Sequence, residues 1–249
     1  MSLLIVIPTY NEKDNISELT NRIFKSSPPD TKILIVDDNS PDGTGEAADD
    51  MATEDSRISV LHRQKKEGLG RAYMDGFRHA LKNYDAEYIM SMDADLSHDP
   101  VFIPKFLEHI ASCDIVLGSR FYDGRISIVN WPMTRLILSY SASLYVRICT
   151  RIPISDWTGA YRCFRRRAIE KILENSMISN SYAFLIEINY ICYKLGFKFG
   201  EVPIIFYDRD KGASKMQTSK AILEAIVIVW KLKFRRFGKD RASSQSVYL

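Results

Sequence analysis

Two aspartates, Asp93 and Asp95, flank Ala94 where the apolar run YIMSM gives way to the loop residues Ser97, His98, Asp99 and Pro100. Side chains two apart on a regular strand point the same way, so at a fraying strand end both carboxylates can converge on one divalent cation. Hard oxygen ligands suit a cation that bridges a diphosphate. Aspartate is also a favoured turn residue, so the triplet alone does not separate a metal site from a solvated turn.

The rest of the chain favours the chemical reading. Residues 9–12 (TYNE), 37–40 (DDNS) and 93–95 each close an apolar run. If those runs are parallel strands of one sheet, the three segments share one edge, and their carboxylates are placed to hold a nucleotide and its metal. Helix N-capping is the plainer alternative, and it accounts for Asp42 and Asp99, which precede helical stretches. It does not account for both carboxylates of the triplet. The charged stretch 208–215, DRDKGASK, ends another strand and could close over the edge. Its Arg209 and Lys215 are apt for phosphate charge. His98 could serve as ligand or base, but a lone histidine in a turn is more commonly a polar loop residue.

The elements that must carry these residues follow from periodicity. Residues 3–7 and 32–36 are continuous aliphatic runs, the pattern of strands buried on both faces. Between them, Ile16, Leu19, Ile23 and Phe24 repeat at helical spacing before Pro28 and Pro29. This is a βαβ unit with a right-handed crossover and a ligand crevice at the carboxyl ends of its strands. Residues 58–61 predict a third strand, Gly68-Leu69-Gly70 opens a helix, residues 88–92 form the strand that delivers the triplet, and 115–117 form a fifth. The strict alternation then stops. Residues 131–150 predict one long helix with Pro132 in its first turn, an apolar stripe through Leu136, Ile137, Tyr140, Leu144 and Ile148, and Arg135 near its start. Residues 168–173, 182–195 and 219–234 predict further helices, and 197–199 and 202–207 further strands. No internal repeat or linker divides the chain.

Composition bounds the class. A hydrophobic content of 46% and a charged content of 26% describe an ordinary globular protein, and a net charge of +3 is too small to indicate a nucleic-acid binder. The basic excess gathers at 165–167 and 231–241, and clusters of that kind suit anionic surfaces. Cys113, Cys149, Cys163 and Cys192 lack paired spacing and read as reduced structural thiols in a reducing, cytoplasmic compartment. No segment has the uninterrupted apolar length of a spanning helix, so membrane contact is expected to be peripheral. A G-x-G-x-x-G after the first strand is missing, which argues against a dehydrogenase.

In order, VIPTYNE, IVDDNSPDGT, GLGRAYMDGF, MDADLSHDP, GSR, SDWTGAYRCFRR, EVPIIF and DRDKGASK resemble the family 2 glycosyltransferases, and among them the dolichyl-phosphate mannose synthases. The resemblance spans about residues 3–216. It implies an α/β fold: a single nucleotide-sugar-binding domain of the GT-A type, with a mostly parallel central sheet flanked by helices and C-terminal amphipathic interface helices. Residues 1–215 would be the catalytic domain, 216–240 a membrane-interface helix and basic segment, and 241–249 a disordered tail. The donor would be GDP-mannose with Mg2+ or Mn2+, and the acceptor dolichyl or another polyprenyl phosphate. Pro8, Tyr10, Glu12, Val36 and Asp38 would hold the nucleoside. Asp93, Ala94 and Asp95 would hold metal and diphosphate. Arg120, Arg209 and Lys215 would handle phosphates, with Arg120 and Arg135 on the acceptor. In some relatives a glutamine two residues beyond the triplet joins the metal shell; here Ser97 stands there, and a water would substitute.

The expected activity is inverting mannosyl transfer. The alternatives are a polyprenyl-phosphate glucosyltransferase using a UDP-sugar, or a non-catalytic nucleotide-sugar-binding subunit. The protein would be peripheral, on the cytoplasmic face of the endoplasmic reticulum in a eukaryote or of the plasma membrane in a prokaryote, with a small membrane anchoring subunit as a further partner.

Overall fold

The computed structural model describes residues 2–179, 183–208 and 218–235. Arg209, Lys215 and the tail 241–249 lie outside the described residues. β1 (Leu3–Thr9), α1 (Lys13–Ser26), β2 (Lys32–Asp37), α2 (Thr44–Glu54), β3 (Ile58–His62), α3 (Leu69–Asn83) and β4 (Tyr88–Ser91) alternate as the periodicity predicts. A 3₁₀ turn at Pro100–Phe102 leads into α4 (Ile103–Ile110) and β5 (Ile115–Ser119). Three two-residue strands follow, β6 (Phe121–Tyr122), β7 (Arg125–Ile126) and β8 (Ile128–Val129), and then the long α5 (Met133–Thr150). The chain continues through β9 (Arg162–Arg165), α6 (Arg166–Glu174), α7 (Phe184–Lys194), β10 (Phe199–Pro203), β11 (Phe206–Tyr207) and α8 (Thr218–Phe234).

Seven strands form one sheet in the order β10-β5-β9-β4-β1-β2-β3. β3, β2, β1 and β4 are mutually parallel, as are β5 and β10, while β9 runs antiparallel between β4 and β5. Alternate residues of the aliphatic runs feed two cores. Leu4, Val6, Leu34 and Val36 pack with Phe77, Ile169 and Ile188 on one face. Leu3, Ile5, Ile7, Ile33 and Ile35 pack with Ile16, Leu19, Ile23 and Phe106 on the other. Burying both faces is what a central parallel sheet requires of its strands.

Three expectations need correction. The stretch between the helices expected at 131–150 and 168–173, where no strand is predicted, contains β9, whose arginine termini hide the strand signal. The strand expected at 202–207 is two: β10 ends at Pro203 against β5, and β11 leaves the main sheet to pair with β8. The basic triplet 165–167 is not simply a cationic patch left for an anionic surface: Arg167 stays exposed, but all three guanidinium groups are engaged within the protein. Arg165 donates to the carbonyls of Ile110 (2.8 Å), Ala111 (2.9 Å) and Cys113 (2.8 Å), at the end of α4. Arg166 does the same for Leu81 (2.8 Å) and Tyr84 (2.7 Å) at the end of α3, and Arg167 pairs with Asp114. Arg165 and Arg166 thus satisfy carbonyls at and just beyond the C-terminal ends of α4 and α3, where the helix leaves them without a partner.

Candidate active site

The carboxyl edge of the sheet collects the predicted residues from separate strands. At the end of β2, Asp37 accepts from Thr9 Oγ1 (3.1 Å), from Ser40 N (3.0 Å) and from Ser40 Oγ (2.5 Å). It shapes the turn that follows β2. Ser40 Oγ also accepts from Asn11 N (3.1 Å), and Thr44 Oγ1 accepts from Glu12 N (3.0 Å), so the loops after β1 and β2 are tied together. Asp99 accepts from Val101 N at 3.0 Å, the capping role expected of it, whereas Asp42 accepts from Thr44 N at 3.0 Å from one residue ahead of the N-cap, Gly43.

Tyr10 is half-buried, with the Lys66 ammonium 3.7 Å from its ring centroid. Glu12 accepts from Asn15 Nδ2 at 2.9 Å, and Pro8 is half-buried near the end of β1. Val36 is different: its side chain lies in the core beneath Gly76 of α3, so only its backbone reaches the edge. Asp38 is buried, and its Oδ1 is bonded by the guanidinium of Arg63, a residue at the end of β3 that the sequence reading passed over. Burial pushes the Asp38 carboxyl above its ordinary value, and Arg63 opposes that shift.

After β4, Asp93 Oδ1 accepts from the hydroxyl of Tyr73 at 3.0 Å. Tyr73 is fully buried on α3, stacked on Phe184 with ring centroids 5.7 Å apart. Its hydroxyl is held far above the usual tyrosine value by burial and by the Asp93 charge, so it stays a donor. Asp93 N donates to His98 Nδ1 at 3.1 Å. His98 is buried, stacked on Tyr161 at 5.0 Å, and burial lowers its pKa, so the ring is neutral with its proton on Nε2. It positions the triplet. Asp95 is buried, and Ser97 donates to its Oδ1 from both N (3.2 Å) and Oγ (2.5 Å). The serine thus braces Asp95. Between them Leu96 takes φ +62°, an uncommon backbone for leucine of the kind that collects at functional sites. Ala94 is buried.

On the far side of the edge, Arg120 follows β5 and grips Asp156 with two prongs: Nε to Oδ2 at 2.6 Å and Nη2 to Oδ1 at 2.8 Å. Nη2 also donates to Thr158 Oγ1 at 2.7 Å. Nε and Nη2 are thereby used, and the two Nη1 hydrogens remain for another partner. Asp156 additionally accepts from the backbone N–H groups of Arg120, Thr158 and Gly159. Burial alone would raise its pKa, but the Arg120 charge and these donors outweigh it and hold the carboxyl below the usual range. The Arg120 and Arg135 guanidinium carbons lie 5.3 and 4.1 Å from the ring centroid of the same indole, Trp131. Arg135 Nη1 donates to Asp208 at 2.7 Å, while its buried Nε has no partner. The structure therefore brings the acceptor pair predicted from sequence onto one aromatic platform.

Among the described residues, no three His, Cys, Asp or Glu side chains converge as a complete metal cage. Two carboxylates whose remaining coordination comes from substrate phosphate oxygens and water are a normal donor set for Mg2+. Asp93 and Asp95, each braced through one oxygen by Tyr73 or Ser97, fit that description.

Sheet order, acidic carboxyl edge and the single antiparallel strand define a GT-A-type α/β protein. Residues 4–173 match the model of glycosyl transferase family 2, and the chain belongs to that family. It is 40% identical over 241 residues to the undecaprenyl-phosphate mannosyltransferase of Micrococcus luteus, covering 96% of this chain and 97% of that protein. It is likewise 40% identical over 236 residues to the polyprenol monophosphomannose synthase of Mycolicibacterium smegmatis, covering 93% and 88%. The fold is shared with a mannosyltransferase of Pyrobaculum calidifontis solved with GDP-Man and Mn2+, at a TM-score of 0.57 and 16% identity over 93% of this chain and 72% of that one.

Proposed function

We propose that this glycosyltransferase moves mannose from GDP-mannose to dolichyl or another polyprenyl phosphate, inverting the anomeric carbon to give polyprenyl-phosphate β-mannose. The observation that carries the reading is 40% identity, over nearly the whole chain, to two proteins named for mannosyl transfer to a polyprenyl phosphate.

The chain's own residues suit that chemistry. A phosphate monoester has a second pKa of about 6, so the acceptor oxygen is already a nucleophile at neutral pH. No side-chain base is needed, in keeping with a buried, neutral His98. Asp38 and Tyr10 would hold the nucleoside, and Asp93 and Asp95 the divalent cation, which when bound supplies charge stabilisation to the departing diphosphate. The Nη1 hydrogens of Arg120 would orient the acceptor phosphate for in-line attack, with the Arg135 charge beside them over the same indole. In the same reading Arg209 and Lys215 would close over the diphosphate.

The lipid acceptor calls for a surface that meets a membrane. No helix of the described residues is long and apolar enough to cross one. α5, however, turns Met133, Ile137, Tyr140, Leu144 and Ile148 outward, and α8 exposes Ile226, Val227 and Trp230. Of the expected stripe on α5, all but the half-buried Leu136 thus faces solvent, as on an interfacial helix. In this reading both helices rest on the cytoplasmic face, with Lys231 and Lys233 near anionic headgroups. The test is to incubate the protein in parallel with GDP-mannose or UDP-glucose, Mg2+ or Mn2+ and a short polyprenyl phosphate, and to weigh the lipid product. A mannolipid from GDP-mannose alone supports the reading. A glucolipid, or donor binding without turnover, contradicts it.

A further inference from the structure

Arg162 opens β9 between the carboxyl ends of two strands that deliver site residues. Its backbone lies beside Ser91 of β4, two residues before Asp93, and beside Leu117 of β5, three residues before Arg120. The residue is 1% exposed. Its Nε donates to Gly159 O at 2.8 Å, Nη1 to Leu185 O at 3.1 Å and Nη2 to Trp157 O at 3.4 Å. Among the described residues it bonds to no carboxylate, whereas Arg120 has Asp156. A buried cation without a counter-charge is unfavourable, and an apolar side chain of the same volume would fill this space without that penalty.

Burial pushes the Arg162 guanidinium down to about 10, Asp156, Cys192 and Tyr73 oppose that shift, and Arg120 adds to it, so the group is charged at neutral pH. The Cys192 thiol and the Tyr73 hydroxyl are both pushed up by burial and are neutral there. Within this set two arginines therefore share one carboxylate. Glu201, the next carboxyl, is taken up by Ser155 and by the Asp156 N–H.

We infer that Arg162 is a positioning residue for the acceptor phosphate: it braces the Trp157–Gly159 turn behind Arg120 and supplies a buried positive charge whose counter-charge arrives with that phosphate. The inference rests on the polyprenyl-phosphate reading above and deepens it. The turn that Arg162 holds by its carbonyls presents the N–H groups of Thr158 and Gly159 to Asp156 and the Thr158 hydroxyl to Arg120. In a protein interior the field of one cation is weakened far less than in water. An acceptor phosphate carries close to two negative charges at neutral pH. The donor diphosphate has a divalent cation to meet its charge, whereas the acceptor phosphate has arginines alone. A residue that only braced the turn would need donors but no charge.

The test separates charge from bracing. Calorimetry measures dissociation constants for a short polyprenyl phosphate and for GDP with Mn2+, and kinetics with GDP-mannose measures KM for each substrate. The proteins are the full chain, Arg162→Gln, Arg162→Lys and Cys192→Asp. Gln keeps a donor without the charge, and Lys keeps both. Cys192 is buried within the electrostatic reach of Arg162, so an aspartate there cancels the charge while leaving Arg162 in place. Arg162→Gln and Cys192→Asp should each weaken the acceptor about tenfold or more in both measurements, with GDP within about twofold. Arg162→Lys should recover most of the loss. If Arg162→Gln does not fold, Cys192→Asp carries the same comparison. A Lys variant as poor as Gln, native acceptor affinity in Cys192→Asp, or equal weakening of acceptor and GDP overturns the role of the charge. A native protein that neither binds nor mannosylates any polyprenyl phosphate overturns the acceptor reading itself, and the inference with it.

Discussion

Arg120 and Asp156, 36 residues apart in sequence, form a buried two-pronged ion pair, with Nε to Oδ2 at 2.6 Å and Nη2 to Oδ1 at 2.8 Å. The pair fixes which edge of the guanidinium stays available, the Nη1 edge, while its carbon lies over Trp131, the indole shared with Arg135. Asp156 thereby orients the guanidinium proposed above to meet a phosphate.

Replacing Asp156 by Asn leaves a buried arginine without its counter-charge. The expected loss is about 3–5 kcal/mol of stability, the usual result of removing one partner of a buried pair. The pH dependence has a definite sign. The Asp156 pKa is lower folded than unfolded, so its contribution is complete above about pH 4 and is lost as pH falls through the depressed folded value. The melting-temperature gap between native and Asp156→Asn proteins should be full at pH 6 and narrow below pH 4. A gap that does not change across that range contradicts this account of the pair.

Tyr73→Phe removes one hydroxyl and its hydrogen bond to Asp93 while the stacked ring remains. A hydrogen bond to a charged group is worth about 1.5–3 kcal/mol, so Mn2+-dependent nucleotide affinity should fall about tenfold or more. The melting temperature should move little by comparison. Unaltered Mn2+ dependence would mean that the hydroxyl does not hold Asp93 in its working position.

On α5, Ile137→Asp and Ile148→Asp place charges on exposed positions outside the core. Sedimentation with anionic vesicles should drop clearly for the double variant, while GDP affinity in solution stays native. Vesicle binding that survives both changes would remove α5 from the membrane contact.

Gly76 sits in α3 against the sheet, where an added Cβ would lie 2.6 Å from Val6 Cγ1 and 3.0 Å from Val36 Cγ2. Gly76→Ala should therefore destabilise the protein by about 1–3 kcal/mol despite better helix propensity, because the crowded core must shift. Denaturant titration checks this; a stabilised variant would show that the helix yields at no cost.

The parallel half of the sheet was legible because aliphatic runs such as Leu3–Thr9 and Lys32–Asp37 have one simple explanation, burial on both faces. The edge residues followed from where those runs stop. β9 was not legible, since Arg162 and Arg165 bound its short apolar centre, and their roles depend on carbonyls far away in sequence. Arg63, Tyr73 and His98 share that difficulty. A buried arginine in the basic stretch HRQKK, or a tyrosine on an amphipathic helix, carries no local mark of the carboxylate it will meet. Asp156 did leave a trace, an aspartate two residues before a threonine in a turn-like segment, but only the fold reveals that Arg120 lies opposite.

The central claim is that Asp93 and Asp95 together hold the cation that lets the sugar leave its nucleotide. Its most direct test is lipid-product formation by Asp93→Asn/Asp95→Asn from GDP-mannose, Mn2+ and a short polyprenyl phosphate, with folding checked by circular dichroism. The account predicts a folded protein whose transfer falls by at least about a thousandfold and is not restored by added Mn2+. A folded double variant that still makes the mannolipid at near-native rate would contradict it.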